Sequence, residues 1–272
     1  MLPSLSTIAI TLTDHIAEIR LNRPDKSNAM NDAMWQEIRQ AFDWADQTPE
    51  VRVVILSGEG KNFCAGIDLA MLGSIQQRIA NADGARSREA LRRLILELQD
   101  CLSSVERCRK PVIAEIQGAC VGGALDLVTC CDMRYATADA VFSIKEIDLG
   151  MVADVGTLQR LPHLIGQGLS RELAFTGRNV GAEEAEKIGL INRIFASKVA
   201  CTVAVKEIAR NIADKSPLAT RGLKEVMNYS RDHSVADGLN YIATWNAAML
   251  LSTDLNEAVL AQRERRTPNF SD

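Results

Sequence analysis

Lys110-Pro111-Val112-Ile113-Ala114-Glu115-Ile116-Gln117-Gly118-Ala119-Cys120-Val121-Gly122-Gly123-Ala124-Leu125-Asp126-Leu127 reads as strand, small-residue turn and helix in immediate succession. The apolar run 110–116 after a Lys-Pro pair predicts a buried strand, 118–124 a loop of small residues, and 125–130 a helix. Small residues ahead of a helix leave backbone N–H groups open to a ligand and able to hold a developing oxyanion. Tight turns that merely let the chain pack give the same pattern.

Upstream the same grammar repeats. Residues 8–12 and 15–21 alternate apolar and polar around Thr13-Asp14, which predicts a hairpin. Asn31 is an N-cap for a helix through about residue 46, with Met34, Ile38, Ala41, Phe42 and Ala45 on one face. Residues 51–58 read as a buried strand, and a long helix over 85–105 carries Leu91, Leu94, Leu98 and Leu102. Downstream, 132–136 and 140–143 read as short strands. From about Leu158 helical patterns dominate, with stops at Gly177 and Gly189 and a start after Ser216-Pro217. The expectation is an α/β core over 1–195 and a helical section over 196–272, acting as one unit.

Composition narrows the function. The chain has 272 residues, 47% apolar and 24% charged, and such a length buries roughly three quarters of its unfolded surface without disulfide staples. Thirty-one basic against 35 acidic side chains give a net charge of −4, which gives no support for a basic face for nucleic acid, though it leaves a local basic patch open. Seven cysteines without a C-x-x-C pair, several inside apolar runs, read as buried reduced thiols. Three scattered histidines make a histidine metal site improbable, so no metal is expected. No apolar run approaches the roughly 18 residues of a membrane span. The N-terminus lacks a basic leader pattern and Asn269-Phe270-Ser271-Asp272 is no peroxisomal address, which favours a bacterial cytoplasm; a processed organellar chain would read the same.

Neither glycine-rich segment, 58–69 nor 118–124, has Walker or G-x-G-x-x-G spacing, and no nucleophilic triad is visible. The notable chemistry is carboxylate. Asp126, Glu146 and Asp154 all stand among apolar neighbours, where desolvation raises a pKa toward the range of proton transfer. Each also has a structural reading: Asp154 as a cap for 156–161, Glu146 as a partner of Lys145, and Asp126 on a solvated face.

Taken in order, Asn22–Met30, Asn62–Leu69 and Lys110–Leu127 resemble the crotonase (enoyl-CoA hydratase/isomerase) superfamily over nearly the whole chain. Lys145–Pro162, Glu172–Arg178 and Tyr229–Ser234 are similar to its Δ3,5-Δ2,4-dienoyl-CoA isomerases. Ordinary hydratases of the superfamily carry glutamate where Asp126 stands and lack the acid at Asp154. The resemblance implies a superhelix of ββα units with a helical trimerisation region, commonly a dimer of trimers. It implies an acyl-CoA thioester as substrate, with its carbonyl between the N–H groups of Ile67 and Gly123. Glu146 would take a proton from C2 of a 3,5-dienoyl chain, Asp154 would return one at C6, and Asp126 would tune their pKa values. Gly66, Ile67, Asp68, Leu69, Ala70 and Ala124 would line the pantetheine and thioester channel, with Lys26 near the nucleotide end. No cofactor is implied. The alternatives are a 2-enoyl-CoA hydratase, a Δ3-Δ2-enoyl-CoA isomerase, or an RNA-binding homologue using Arg86, Arg88, Arg92 and Arg93.

Overall fold

A computed structural model describes residues 2–272. The chain opens with β1 (Ile8–Thr13) and β2 (Ile16–Leu21), paired antiparallel. Their turn is Asp14-His15, both at positive φ (50° and 64°), the backbone twist that matches a two-residue hairpin. His15 therefore belongs to the turn, one residue later than the alternation suggests. There follow α1 (Asp32–Gln47), β3 (Val53–Gly58), α2 (Leu69–Arg78), α3 (Gly84–Arg107) and β4 (Val112–Ile116). Next come β5 (Ala119–Val121), α4 (Gly123–Thr129), β6 (Met133–Thr137) and β7 (Val141–Ser143). The remainder is α5 (Thr157–Ile165), α6 (Gln167–Thr176), β8 (Val180–Gly181), α7 (Ala182–Lys187), β9 (Arg193–Phe195), α8 (Lys198–Ala213), α9 (Pro217–Arg231), α10 (Val235–Met249) and α11 (Thr253–Glu264).

After four strands in one sheet, the chain from β4 onward passes back and forth between two sheets. The larger has order β1-β2-β3-β4-β6-β9 and is parallel from β2 onward; the smaller is β5-β7-β8. Each strand–strand–helix unit thus adds one rung to each sheet, which makes the chain a superhelix. A parallel bridge from Cys64 to Cys120 extends the smaller sheet by one rung toward the N-terminus. The 118–124 segment, expected as a loop, contains β5, because Ala119–Val121 finds a parallel partner in Val141–Ser143. Only Gly122 remains as the turn, so α4 begins at Gly123 rather than Leu125. The strands β8 and β9 interrupt the helical second half for the same reason: each is short, and a partner strand supplies its hydrogen bonds.

Period-2 alternation divides the large sheet between two cores. Val54, Leu56, Ala114 and Ile116 face the interior with α1 and α3, while Val53, Ile55 and Ile113 meet Val205 and Ala209 of α8. Burying each such aliphatic side chain contributes about 1.5–3 kcal/mol. The section over 196–272 therefore begins with a helix that seals the sheet, and α9, α10 and α11 lie beyond it. Asn31 caps α1 by accepting the Met34 N–H at 3.0 Å. All seven cysteines are buried free thiols. Among the described residues no helix is long and apolar enough to cross a membrane.

Candidate active site

A cavity of about 600 Å³ opens between α2, α3 and the loop before α5. Its walls are apolar: Leu72 and Ile75 from α2, Leu94 and Leu98 from α3, Met151 and Val155 from the loop. Four groups from three separate stretches of sequence meet in it, namely the backbones of Ile67 and Gly123 and the carboxyls of Glu146 and Asp154.

The two backbones converge because of Gly66. It sits at φ +91°, and a Cβ there would lie 2.6 Å from Val121 O and 3.4 Å from Gly123 N. Only glycine lets the 64–67 strand approach the start of α4 so closely. Around Ile67, Met30 N–H donates to Gly66 O and Asp68 N–H donates to Met30 O, which turns the Ile67 N–H away from that pairing. Gly123, first residue of its helix, has no intrahelical acceptor for its own N–H. Neither N–H is taken up by a hydrogen bond among the described residues.

Glu146 lies across the same helix start. Gly122 is at φ +57°, and a Cβ there would stand 3.2 Å from Glu146 Oε1, so glycine leaves the carboxylate its place. Burial pushes Glu146 up to about 7, with the nearby Asp126 and Asp154 charges adding to the effect. Lys145 does not pair with it: Lys145 Nζ donates to Asp148 at 2.9 Å and to Gly177 O at 2.7 Å. Asp154 is exposed toward the cavity, and partial burial raises its pKa. Its carbonyl accepts the Gln99 side-chain amide at 2.6 Å.

Asp126 is elsewhere. It is 0% exposed and does not line the cavity, so the solvated-face reading is excluded. Its Oδ1 accepts the Thr157 N–H at 2.5 Å. Asp126, not Asp154, thereby satisfies a free donor at the start of α5. Burial pushes Asp126 up to about 6 against the opposing pull of the Thr157 N–H, and the Asp154 charge pushes the same way as burial. Arg160 counters it from α5, held by Glu106 at 2.9 Å and by Ser103 at 3.1 Å; Glu106 in turn pairs with Arg231 of α9.

The expected channel residues are more dispersed. Ile67 lines the cavity, and Gly66 stands behind it. Asp68 caps α2 through the Ala70 N–H at 3.0 Å and pairs with Arg23 at 3.1 Å. Leu69 and Ala70 are exposed at the start of α2, and Lys26 is exposed in the short 3₁₀ turn Pro24–Lys26. Ala124 is packed in the core, away from the cavity. Three residues that matter gave no signal in the sequence: Trp35, whose indole lies beside Gly123, Gln99 and Thr157. A tryptophan on the buried stripe of α1 looks like any core residue. A glutamine or threonine bonded across more than 30 residues leaves no local trace.

The family described as enoyl-CoA hydratase/isomerase matches residues 11–272. A peroxisomal Delta(3,5)-Delta(2,4)-dienoyl-CoA isomerase of Arabidopsis thaliana is 48% identical over 98% of this chain and 97% of its own length. The mitochondrial human protein of that name is 46% identical over 94% of this chain and 80% of its own. A crotonyl-CoA hydratase of Syntrophomonas wolfei is 31% identical over 97% of both chains. Among solved structures, an enoyl-CoA hydratase from Bacillus anthracis superposes with a TM-score of 0.89 at 31% identity, covering 98% of this chain and 99% of its own. With the two-sheet superhelix and a cavity bringing two carboxyls to two free N–H groups, these matches show that the chain belongs to the enoyl-CoA hydratase/isomerase family.

Proposed function

We propose that this protein isomerises 3,5-dienoyl-CoA thioesters to 2,4-dienoyl-CoA thioesters in the β-oxidation of unsaturated fatty acids. The observation that carries this reading is the presence of Glu146 and Asp154 in one apolar cavity. The relatives named dienoyl-CoA isomerase support it.

The thioester carbonyl sits between the Ile67 and Gly123 N–H groups, which stabilise the enolate oxygen; one such donor is worth about 2.7–4 kcal/mol. Glu146 removes the C2 proton, the electron pairs shift along the chain, and Asp154 delivers a proton to C6. Those carbons lie too far apart for one short side chain to serve both. The apolar walls keep water from competing for the dienolate. Asp126 acts from behind, raising the proton affinity of Glu146 by its charge. The chemistry calls on carboxyls and backbone donors of the chain itself, so no cofactor is assigned.

Hydration is the less favoured reading. Beside α4 a hydratase would need a second carboxylate facing the cavity, whereas Asp126 is buried and engaged with Thr157. Of the arginines on α3, Arg86 approaches Asp83 at 3.9 Å and Arg93 approaches Glu89 at 4.0 Å, which leaves little of a basic face for RNA.

The CoA portion is read as passing Gly66–Ala70 with Lys26 at its nucleotide end; Ala124 can take part only through its backbone. Oligomerisation, as a trimer or dimer of trimers, is assigned to α9–α11. These helices and the turn between α10 and α11 expose Leu223, Met227, Val235, Leu239, Leu250 and Leu251, an apolar surface typical of interfaces. Relatives at 46–48% identity are named for the peroxisome and the mitochondrion. The proposed setting is therefore whichever compartment degrades unsaturated acyl-CoA. The test is ultraviolet spectroscopy with 3,5-octadienoyl-CoA and, separately, crotonyl-CoA. Growth of the conjugated 2,4-diene band supports the isomerase, and consumption of crotonyl-CoA alone refutes it.

A further inference from the structure

Proton transfer between two acids leaves the site unable to repeat itself. After one turnover Glu146 holds the proton taken from C2, and Asp154 lacks the one given to C6. This inference rests on that two-acid reading. Glu146 has to lose a proton and Asp154 has to gain one before the next substrate can react.

Glu146 Oε2, Asp126 Oδ2 and Thr157 Oγ1 are buried side-chain oxygens without a hydrogen-bond partner. Unpaired buried polar atoms cost stability and call for a reason. They are also neighbours. Glu146 Oε1 lies against Gly122, and the Asp126 N–H donates to Gly122 O at 3.3 Å. A helical side chain leans toward the turn before its own Cα, which brings the Asp126 carboxyl back over Gly122 and toward Glu146. On the other side the Thr157 N–H holds Asp126 Oδ1 at 2.5 Å, and the Thr157 hydroxyl faces the same carboxylate closely enough to favour its charged form, though outside regular hydrogen-bond geometry. Thr157 is the first residue of α5, so its side chain leans back toward the turn that carries Asp154. The remaining charged group facing Asp126 is Arg160 of α5, which Glu106 of α3 already engages.

We propose that Thr157, which does not line the substrate cavity, is the bridge that returns the proton from Glu146, by way of Asp126, to Asp154. The Glu146 carboxylic acid protonates the Asp126 carboxylate. Asp126 then gives that proton to the Thr157 hydroxyl oxygen while the hydroxyl's own hydrogen passes to the Asp154 carboxylate. Only O–H bonds form and break, and the site returns to Glu146 ionised and Asp154 protonated. The transfer requires each neighbouring pair of oxygens to come within hydrogen-bond reach, by rotation of the Thr157 side chain or through a water. The neighbouring proton affinities of Glu146 and Asp126, at about 7 and about 6, make the first transfer nearly level.

Thr157→Val keeps the shape and the backbone N–H held by Asp126 and removes only the hydroxyl. A step that resets the free enzyme limits kcat without entering kcat/KM. The expected result is a fall in kcat on the order of tenfold or more, with KM falling in proportion. kcat/KM stays within about twofold. Thr157→Ser restores the wild-type values, and Thr157→Ala repeats the valine pattern in kcat. Wild-type kcat in Thr157→Val would overturn the bridge in favour of return through solvent. So would a fall of kcat/KM together with kcat, which marks a residue that shapes the site. If the wild-type protein itself forms no 2,4-diene, it is the isomerase reading that has failed.

Discussion

The side-chain amide of Gln99, on α3, donates to the backbone carbonyl of Asp154 at 2.6 Å. The helix that supplies the apolar wall of the cavity thus also fixes the loop that carries one of its two acids. Asp154 needs such support: it is exposed and precedes a turn, so its own packing does little to hold it. Gln99→Leu keeps the volume and removes the bond. kcat is expected to fall about tenfold with little change in KM, because misplacing a reacting group by about 1 Å costs up to 10²-fold. Steady-state diene formation checks this, and an unchanged kcat would show that Asp154 is held by other means.

The glycines at the oxyanion site are expected to be irreplaceable to different degrees. Gly66→Ala sets a Cβ 2.6 Å from a backbone oxygen that cannot step aside, in a backbone region that disfavours side chains. Gly122→Ala meets the end of a movable carboxylate at 3.2 Å. Backbone strain adds to both variants, since Gly66 is at φ +91° and Gly122 at φ 57°, ψ −127°, conformations that cost a side-chain-bearing residue on the order of 1–3 kcal/mol. Gly66→Ala should therefore lose both melting temperature and activity, while Gly122→Ala stays folded and loses activity through Glu146. Thermal unfolding measured beside kcat separates the two.

The pH profile of kcat/KM should be a bell, since Glu146 must be ionised and Asp154 protonated. Burial raises both acids, Glu146 to about 7, and the two limbs report the coupled pair. Asp126→Asn removes a negative charge that raises Glu146. The limb that reports Glu146 is expected to move to lower pH, and a move to higher pH would contradict the assigned role of Asp126. The sign for stability is equally determined. Glu146 and Asp126 bind protons more tightly folded than unfolded, so their contribution is most favourable below their ordinary values. It is lost as pH rises through about 6 to about 7.

An oligomer should be visible by light scattering as a multiple of the 29.8 kDa chain. Leu251, 91% exposed, and Val235, 81% exposed, are the substitutions to try, each to aspartate. If the exposed face of α9–α11 joins subunits, both lower the mass. A monomeric wild-type protein would exclude that role.

Much of this was legible in the sequence because it is written in local pattern. The alternation of β3, the stripe of α1 capped by Asn31, and the glycines before α4 each declare themselves within a dozen residues. Legibility failed where the deciding partner is distant. Residues 119–121 form a strand only because 141–143 lies beside them, and His15 turns only because both strands continue past it. The carboxylates illustrate both cases. Their apolar neighbours pointed to raised pKa values, which the structure bears out for all three. Which acid faces the cavity and which caps α5 depended on Asp126 meeting Thr157, a contact no spacing rule contains.

The division of labour between Glu146 and Asp154 is tested most directly by following the C2 hydrogens of 3,5-octadienoyl-CoA by NMR in D₂O. The experiment compares Asp154→Asn with Glu146→Gln, both checked for native folding. Both variants should lose diene formation, by about 10²–10⁴-fold. Asp154→Asn should still exchange the C2 hydrogens, since Glu146 continues to remove and return them, whereas Glu146→Gln should lose exchange as well. Exchange retained in Glu146→Gln and lost in Asp154→Asn would reverse the two roles. Diene formation at the wild-type rate in Asp154→Asn would show that one acid suffices and contradict the two-acid transfer outright.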